Sequence, residues 1–348
     1  MTITLNNGRK IGNDCSAYII AEIGINHNGS MDKAKTLIKE AANCSVDAVK
    51  FQKRTIDEMY LSSFLEQRYD VPYSFGETYG EHKRFLELSN KNLFNLKEYA
   101  NSFGIDFLVS GFDLSGFDFI EKELNVPIHK IPSPYVSHTP LLEHIARFNK
   151  PLVLSTGMHS FEEVKNALRV IQKINKDVIL LQCTSVYPCE NQNVNLKVIE
   201  TYIKELHVLA GFSSHDKGVI LPAVSVALGG CIVEKHFTLD RTDIGPDHIA
   251  SVEPRGMSMI VNYIRACEAG IGSREKKLLC VEKKARIKYG ISCVLREPLK
   301  KGMVLGKEMI LYKVPGTGVP PSKEDKIVGK KALRNINKDE VLHEGDFE

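Results

Sequence analysis

The chain has no tryptophan, and none of its eight cysteines belongs to a C-x-x-C pair. The absence of such pairs argues against a zinc ribbon or a dithiol redox motif. Several of the cysteines lie in apolar runs, where Cys acts as a small hydrophobic residue, and free thiols suit a reducing compartment. The first residues have no apolar signal core, and no apolar run is long enough to cross a bilayer. We therefore expect a cytoplasmic protein without a membrane segment.

The chain also lacks a strong charge of either sign. Its 46 Lys and Arg residues against 43 Asp and Glu residues give a formal charge of +3, and no dense basic block is present. This balance argues against a nucleic-acid partner. The most basic segment, KKARIK at 283–288, is interpreted as solvated linker. The length of 348 residues suits a barrel of about 250 residues plus a further module.

Eight short apolar runs alternate with amphipathic segments along the chain. The runs cover residues 17–23, 47–52, 105–110, 127–133, 151–156, 177–183, 208–213 and 231–237. Between them, segments such as 31–44 and 160–174 have helical periodicity and begin after a serine suited to capping. Strands that are apolar on both faces and joined by helices predict a parallel (β/α)8 TIM barrel. An open doubly wound sheet is the alternative, but EIGINHNG after the first strand is not its glycine-rich phosphate turn.

The composition changes near residue 286, where short strands and Gly/Pro turns replace the alternation. We predict a barrel domain over residues 1–275, a linker over 276–285 and a small β-rich domain over 286–348. One connection in the barrel, residues 53–84, is unusually long, polar and aromatic. Long insertions in compact domains often form lids or binding loops.

The carboxyl ends of the strands are where a barrel enzyme carries its chemistry. The polar residues there are Glu22, Lys50, Gln52, Ser110, Lys130, Ser133, Ser155, Thr156, Gln182, Thr184, Ser185, Tyr187, Ser213, His215, Glu234 and His236. Strand ends are commonly polar, which explains Ser110 and Thr184. It does not explain Lys50 and Lys130, because a lysine in an apolar strand needs an anionic partner. We predict an anion pocket for a phosphate and a carboxylate, with a Schiff-base lysine as the alternative.

Two histidines end neighbouring strands of the predicted barrel. The imidazoles of His215 and His236 are therefore expected to meet at one metal ion, although a single histidine is more often structural. Two imidazoles completed by water and substrate oxygens suit Mn²⁺ or a similar octahedral ion better than a closed zinc site.

Six motifs in this order resemble the sialic acid synthase family: AEIGINHNGS, AVKFQK, LSTGM, QCTSVYP, VEKHFTLD and GPDHIAS. The tail resembles the antifreeze-like (SAF) domain of these enzymes. The insertion GETYGEHKRFLELS and the triplet CTS are most similar to the animal-type branch, which makes sialic acid 9-phosphates from hexosamine 6-phosphates. The resemblance implies a transferase that condenses phosphoenolpyruvate with open-chain N-acetylmannosamine, or its 6-phosphate, and releases phosphate. It also implies a homodimer in which each tail covers the partner's barrel.

The resemblance further implies a role for each residue that matches a family position. The positions around phosphoenolpyruvate are Lys50, Lys130, Ser133, Ser155, Ser185 and Ser213, and those near the sugar are Gln52, Tyr187, Glu234 and Asp247. Glu22 matches an acid that handles protons. His215 and His236 are implied to hold the catalytic metal, foremost Mn²⁺, with Mg²⁺ or Co²⁺ as alternatives, which polarises the aldehyde oxygen.

The sequence departs from the family at two positions. The segment PSPY places Tyr135 where relatives have an acid, so we assign Tyr135 to the sugar side. In the tail, Val314 stands where many bacterial members have a sugar-binding arginine. Lys83 and Arg84 are candidates for binding a 6-phosphate, or belong to a solvated helix start. The candidate acceptors are N-acetylmannosamine, its 6-phosphate, mannose 6-phosphate and a 2,4-diacetamido-6-deoxy sugar of the legionaminic or pseudaminic type. More distant alternatives are a metal-dependent barrel hydrolase and, least favoured, a carbohydrate-binding module.

Overall fold

The computed structural model describes all residues from Met1 to Glu348. The chain forms two compact units, Met1–Gly272 and Ser273–Glu348. No helix in it combines the length and the apolar character that a bilayer span requires.

The first unit is a closed barrel of eight parallel strands, which confirms the predicted TIM barrel over the open sheet. The strands are β3 (Tyr18–Gly24), β4 (Ala48–Lys53), β5 (Asp106–Gly111), β6 (His129–Ile131), β7 (Leu152–Ser155), β8 (Val178–Cys183), β9 (Leu209–Ser214) and β10 (Ile232–His236). The last strand pairs with the first of them, so that His236 lies beside Glu22. Most strand residues are buried because helices cover the outer face and side chains fill the interior.

A hairpin that the sequence analysis did not predict precedes the barrel. Its strands β1 (Thr2–Thr4) and β2 (Lys10–Gly12) are antiparallel. Ile3 and Ile11 pack with the inward-facing residues near the amino ends of the barrel strands. The hairpin therefore closes that end, and the opposite end remains for a site.

Twelve helices accompany the strands. They are α1 (Met31–Asn43), α2 (Ile56–Met59), α3 (Ser62–Leu65), α4 (Tyr79–Leu86), α5 (Asn90–Asn101), α6 (Leu114–Phe119), α7 (Thr139–Ala146), α8 (Phe161–Gln172), α9 (Val198–Leu206), α10 (Leu221–Ala227), α11 (Pro254–Ile271) and α12 (Lys283–Tyr289). The serine caps are present: Ser30 accepts from the backbone of α1, and Ser160 forms a capping box with Glu163 on α8.

The long insertion after β4 is folded. It contains α2, α3 and α4, which pack around a cluster of aromatic rings. Tyr79 is central, with ring centroids 4.9 Å from Phe64, 5.1 Å from Tyr69 and 5.5 Å from Tyr60. Aromatic packing of this kind gives a short helix the tertiary support that its length alone does not provide.

The second unit has its own small core. Strands β11 (Ser292–Leu295) and β12 (Ile310–Lys313) pair antiparallel. Cys293, Leu295, Leu305 and Ile336 are buried with other apolar side chains of residues 293–347. Residues 276–285, predicted as a linker, fall in this unit and include the start of α12.

Candidate active site

A cavity of about 400 Å³ opens at the carboxyl ends of the barrel strands. It is lined by thirteen of the fourteen residues proposed for the site: Glu22, Lys50, Gln52, Lys130, Ser133, Ser155, Ser185, Tyr187, Ser213, His215, Glu234, His236 and Asp247. The fourteenth, Tyr135, lies elsewhere. A larger hollow of about 920 Å³ beside α8 and α9 has a mainly apolar lining and does not gather these charged groups.

The two strand lysines are paired with carboxylates of the chain itself. Lys50 Nζ lies 2.7 Å from Glu22 Oε2 and 3.6 Å from Glu234 Oε1. Lys130 Nζ lies 3.9 Å from Glu234 Oε2. Gln52 donates to Glu22 Oε1 at 2.7 Å. The anionic partner that the buried lysines require is therefore present before any substrate binds.

Burial and neighbouring charges shift the pKa values of the two lysines, and of the two glutamates, in opposite directions. Burial opposes the charge on Lys50, but Glu22 and Glu234 outweigh it and raise the pKa of Lys50. Burial lowers the pKa of Lys130, which has the weaker carboxylate contact. Burial also raises the pKa of Glu22 against the charge of Lys50, whereas Lys130 and Lys50 overcome burial and lower the pKa of Glu234. Glu22 is thus the carboxyl group that more readily holds a proton.

The hydroxyl groups of the strand ends complete the floor of the cavity. Lys50 donates to Ser110 Oγ at 2.7 Å, and Lys130 donates to Ser155 Oγ at 2.8 Å. Ser133 Oγ accepts from the backbone N–H of Gly157 at 3.0 Å. Ammonium and hydroxyl donors therefore converge on one place, which suits an anion with several oxygens.

Gly157 leaves room for this ring of hydroxyls. A Cβ atom at Gly157 would lie 2.2 Å from Ser185 Oγ and 3.1 Å from Ser133 Oγ. We expect Gly157→Ala to displace both hydroxyls and to lower kcat/KM for the phosphoenolpyruvate that the resemblance implies as substrate by about 10-fold or more, the loss of roughly one charge-assisted hydrogen bond. Steady-state phosphate release measures the effect.

The matched control is Gly270→Ala on α11. No atom lies within 4 Å of a Cβ built there, and alanine is favoured in a helix. Gly270→Ala is expected to leave kcat/KM unchanged. Equal activity of the two variants would contradict the close approach at Gly157.

The two histidines face each other across the cavity, with ring centroids 5.4 Å apart. Nδ1 of His215 donates to the carbonyl of Thr184 at 2.8 Å, which leaves the lone pair on Nε2. Nδ1 of His236 is buried without a hydrogen-bond partner, 3.8 Å from Asp247 Oδ2. Burial lowers the pKa of His236 to about 4, so its imidazole is neutral at pH 7. Burial opposes the charge on His215, but Cys183 outweighs it and raises the pKa of His215. The pair still fits a metal ion, because the Nε2 lone pair of His215 and the neutral imidazole of His236 are groups that bind metals.

No third protein ligand completes the pair. The structure contains no group of three or more His, Cys, Asp and Glu side chains arranged to hold a metal ion. Water and substrate oxygens would therefore have to supply the remaining positions of an ion held by His215 and His236.

Tyr135 is the residue that the structure does not bring into the cavity. It ends the helical turn Ser133–Tyr135 that follows β6, and its hydroxyl donates to the carbonyl of Phe112. The turn directs Ser133 to the cavity and Tyr135 to a separate hollow beside His138. Tyr135 thus does not line the cavity to which the sequence analysis assigned it.

Several lining residues were not proposed from the sequence, among them Arg54, Tyr69, His82 and Cys183. Arg54 directly follows the last residue of β4, so its place at a strand end could have identified it as a site residue. Cys183 ends β8, with its Sγ 3.8 Å from His215 Nδ1, but its apolar run concealed it. Of the two cations proposed for binding a 6-phosphate, Lys83 lines the cavity, whereas Arg84 pairs with Asp57 at 2.5 Å outside it.

Comparison with known proteins decides the family. Residues 37–276 match the NeuB family, and residues 292–348 match the SAF domain. The chain belongs to the NeuB family. Its predicted place among the sialic acid synthases and the predicted SAF domain are confirmed. This NeuB protein is therefore a transferase of the sialic acid synthase type, which condenses phosphoenolpyruvate with a sugar and forms a carbon–carbon bond.

Two relatives with different names have the same sequence identity to this NeuB chain. Human N-acetylneuraminate-9-phosphate synthase is 38% identical over 99% of this chain and 96% of its own. The N,N'-diacetyllegionaminic acid synthase of Legionella pneumophila is also 38% identical, over 96% and 95%. The crystal structure of the Leptospira borgpetersenii sialic acid synthetase in complex with citrate is 32% identical, covers 82% of this chain and 95% of that one, and gives a TM-score of 0.72. Overall identity thus does not select the acceptor.

Proposed function

We propose that this NeuB protein condenses phosphoenolpyruvate with an N-acetylmannosamine-type aldose to give a sialic acid, or its phosphate, and inorganic phosphate. The observation that supports the proposal is a single cavity in which two buried lysines and two buried glutamates adjoin a pair of imidazoles. An enol phosphate needs cations for its phosphate and carboxylate, and an aldehyde needs an electrophilic group at its oxygen.

Lys50 and Lys130 hold phosphoenolpyruvate in this proposal. Their ammonium groups neutralise its phosphate and carboxylate, and the hydroxyls of Ser133, Ser155, Ser185 and Ser213 donate to its oxygens. Glu22 and Glu234 limit the excess positive charge, so that the anion is bound in one orientation and released after reaction. Because all of these groups lie on strand ends or the turns beside them, their positions are set by the barrel.

We also propose that His215 and His236 hold a divalent metal ion, Mn²⁺ foremost. When bound, such an ion supplies a Lewis acid for the oxygen of the aldehyde. The sugar would lie beside Asp247 and Tyr187. Asp247 Oδ2 is 3.8 Å from His236 Nδ1, and the ring centroid of Tyr187 is 4.1 Å from that of His215. Gln52 and Glu234 are the other residues that we place beside the sugar.

The proposed reaction requires proton transfer, and Glu22 is the residue that we propose for it. C3 of the enol phosphate forms a bond to the aldehyde carbon, water adds to C2, and the C2–O bond to phosphate breaks with the electron pair leaving on phosphate. The added water loses two protons, one as it adds and one when C2 becomes a carbonyl. One of them goes to the alkoxide formed from the aldehyde, and the other goes to the departing phosphate. The raised pKa of the buried Glu22 carboxyl suits it to move that proton. The homodimer with exchanged tails and the cytoplasmic location stay predictions.

A panel of acceptors tests the proposal. The protein is incubated with Mn²⁺, phosphoenolpyruvate and one of N-acetylmannosamine, its 6-phosphate, mannose 6-phosphate or a 2,4-diacetamido-6-deoxy sugar, and the released phosphate and the product mass are measured. We expect phosphate release only when an acceptor is present, with a product mass equal to acceptor plus pyruvate. Release without any acceptor would favour the hydrolase alternative, and no release with any acceptor would refute the synthase proposal.

A further inference from the structure

Strands β9 and β10, and the turn after β9, carry a second set of polar side chains on the face that points away from the cavity. Ser214, Asp216 and Lys235 are fully buried, each with 0% exposure, and none of them lines the cavity. Successive side chains of an extended chain point to opposite faces, so these three alternate with the cavity residues His215 and His236. The proposed chemistry uses none of the three.

The three side chains form one hydrogen-bond network. Lys235 Nζ donates to Ser214 Oγ at 2.8 Å and to the carbonyl oxygen of Asp216, and it lies 3.5 Å from Asp216 Oδ1. Ser214 Oγ donates to Asp216 Oδ1 at 2.5 Å, and Asp216 Oδ2 accepts from the backbone N–H of Gly218 at 2.9 Å. An ammonium group has three donors, and three oxygens of this network surround it. The polar groups are therefore satisfied by one another.

This network lies where the backbone pairing of β9 with β10 ends. The last residue pair of that ladder is Lys235 with Ser214. His215 and His236 each come one residue later, so the ladder does not fix the two histidines against each other. At the level of His236, β10 is paired with β3 on its other side. The contacts of Lys235 Nζ with Asp216 thus connect the segment that carries one imidazole to the segment that carries the other.

Stability alone does not account for a buried ion pair at this place. The removal of an ammonium group and a carboxylate from water costs free energy that their attraction often fails to recover, and apolar replacements of such pairs are frequently neutral or stabilising. A fully hydrogen-bonded polar network instead favours one defined geometry. Metal ligands depend on such geometry, because groups that orient a ligand from outside the metal site affect the metal affinity.

We propose that Lys235 and Asp216 are positioning residues that fix the imidazoles of His215 and His236 relative to each other. The inference rests on the proposed function, in which these two imidazoles hold a divalent metal ion. Each partner of the ion pair is the chain neighbour of one histidine, so the pair sets the distance between the two main-chain segments. The hydrogen bond from His215 to the carbonyl of Thr184 orients the ring, and the ion pair holds the backbone that carries it.

The test combines Mn²⁺ titration into the metal-free protein, followed by calorimetry, with urea denaturation. Lys235→Met leaves the Asp216 carboxylate buried without its cation, so the urea midpoint should fall and the Mn²⁺ affinity should decrease by about 10- to 100-fold. In Lys235→Met/Asp216→Asn, the neutral amide needs no cation, so the urea midpoint should return towards the wild-type value. The Mn²⁺ affinity of this double variant should stay low, because the connection between the two segments is still missing.

Lys150→Met is the matched control for the loss of a buried ammonium group. Lys150 is 8% exposed, lies just before β7 at the amino end of the barrel, and its Nζ is 2.8 Å from Glu121 Oε2. This variant should lower the urea midpoint and leave the Mn²⁺ affinity unchanged. An equal loss of affinity in Lys150→Met would overturn the positioning role.

Phosphate release separates this inference from the proposed reaction. Weak Mn²⁺ binding by the double variant supports the positioning role even if no acceptor triggers phosphate release, in which case only the reaction is refuted. Wild-type affinity in the double variant would overturn the positioning role and leave the metal position intact. A wild-type protein that binds no Mn²⁺, or binds it no better than His236→Ala, would overturn the metal position and the positioning role together.

Discussion

Replacing His236 with Ala is expected to abolish acceptor-dependent phosphate release while the barrel stays folded. The variant removes one of two imidazoles at the proposed metal position, and no third protein ligand is available to compensate. Loss of the ion would remove the electrophilic assistance, so we expect kcat to fall by about 1,000-fold or more. Phosphate release, metal content after dialysis with Mn²⁺ and the circular dichroism spectrum measure the three parts of this prediction.

His144→Ala is the matched control. His144 lies on α7, and its Nε2 contacts Asp118 at 2.7 Å, outside the cavity. This variant should retain both Mn²⁺ and turnover. If His236→Ala instead turned over at the wild-type rate with Mn²⁺, the proposed metal position would be wrong.

Replacing Lys50 with Met should cost both activity and stability. The variant leaves Glu22 and Glu234, 2% and 5% exposed, without their closest cation. Breaking a buried ion pair in this way is expected to lower the free energy of unfolding by about 3–5 kcal/mol. The loss of one phosphoenolpyruvate-binding charge should lower kcat/KM by about 1,000-fold. Urea denaturation and phosphate release provide the two values.

A double variant separates these effects. In Lys50→Met/Glu22→Gln, the carboxylate nearest to the missing ammonium is also neutral, so much of the lost stability should return. Activity should not return, because the cation is still absent. A double variant as unstable as Lys50→Met would show that the charge of Glu22 is not what destabilises the single variant.

The amino-acid order was sufficient to predict the strands that build the site. Eight apolar runs separated by amphipathic segments have one closed parallel arrangement, and the observed strands fall within about one or two residues of those runs. Since all parallel strands end at the same side, the convergence of Lys50, Lys130, His215 and His236 followed from the topology. The alternation of apolar and amphipathic segments is a local pattern, so it predicts the barrel and its strand ends without reference to contacts between distant residues.

Other features depended on contacts between distant segments. The hairpin that closes the amino end has strands of only three residues, too short for a periodic pattern. Tyr135 was assigned to the cavity by alignment with an acid, but a single helical turn directs it elsewhere. Lys83 and Arg84 are adjacent in sequence and equal in charge, and only the packing of α4 separates a cavity residue from a surface residue.

By itself, then, the sequence determined the barrel, the family and the set of charged side chains at the strand ends, because periodicity and ordered motifs are local properties of a chain. The tertiary structure alone decided that Glu22 and Glu234 neutralise the two buried lysines and that Arg54 and Lys83 are left without a carboxylate. Charge balance depends on distances of a few ångströms between residues far apart in sequence, and only the folded chain sets those distances.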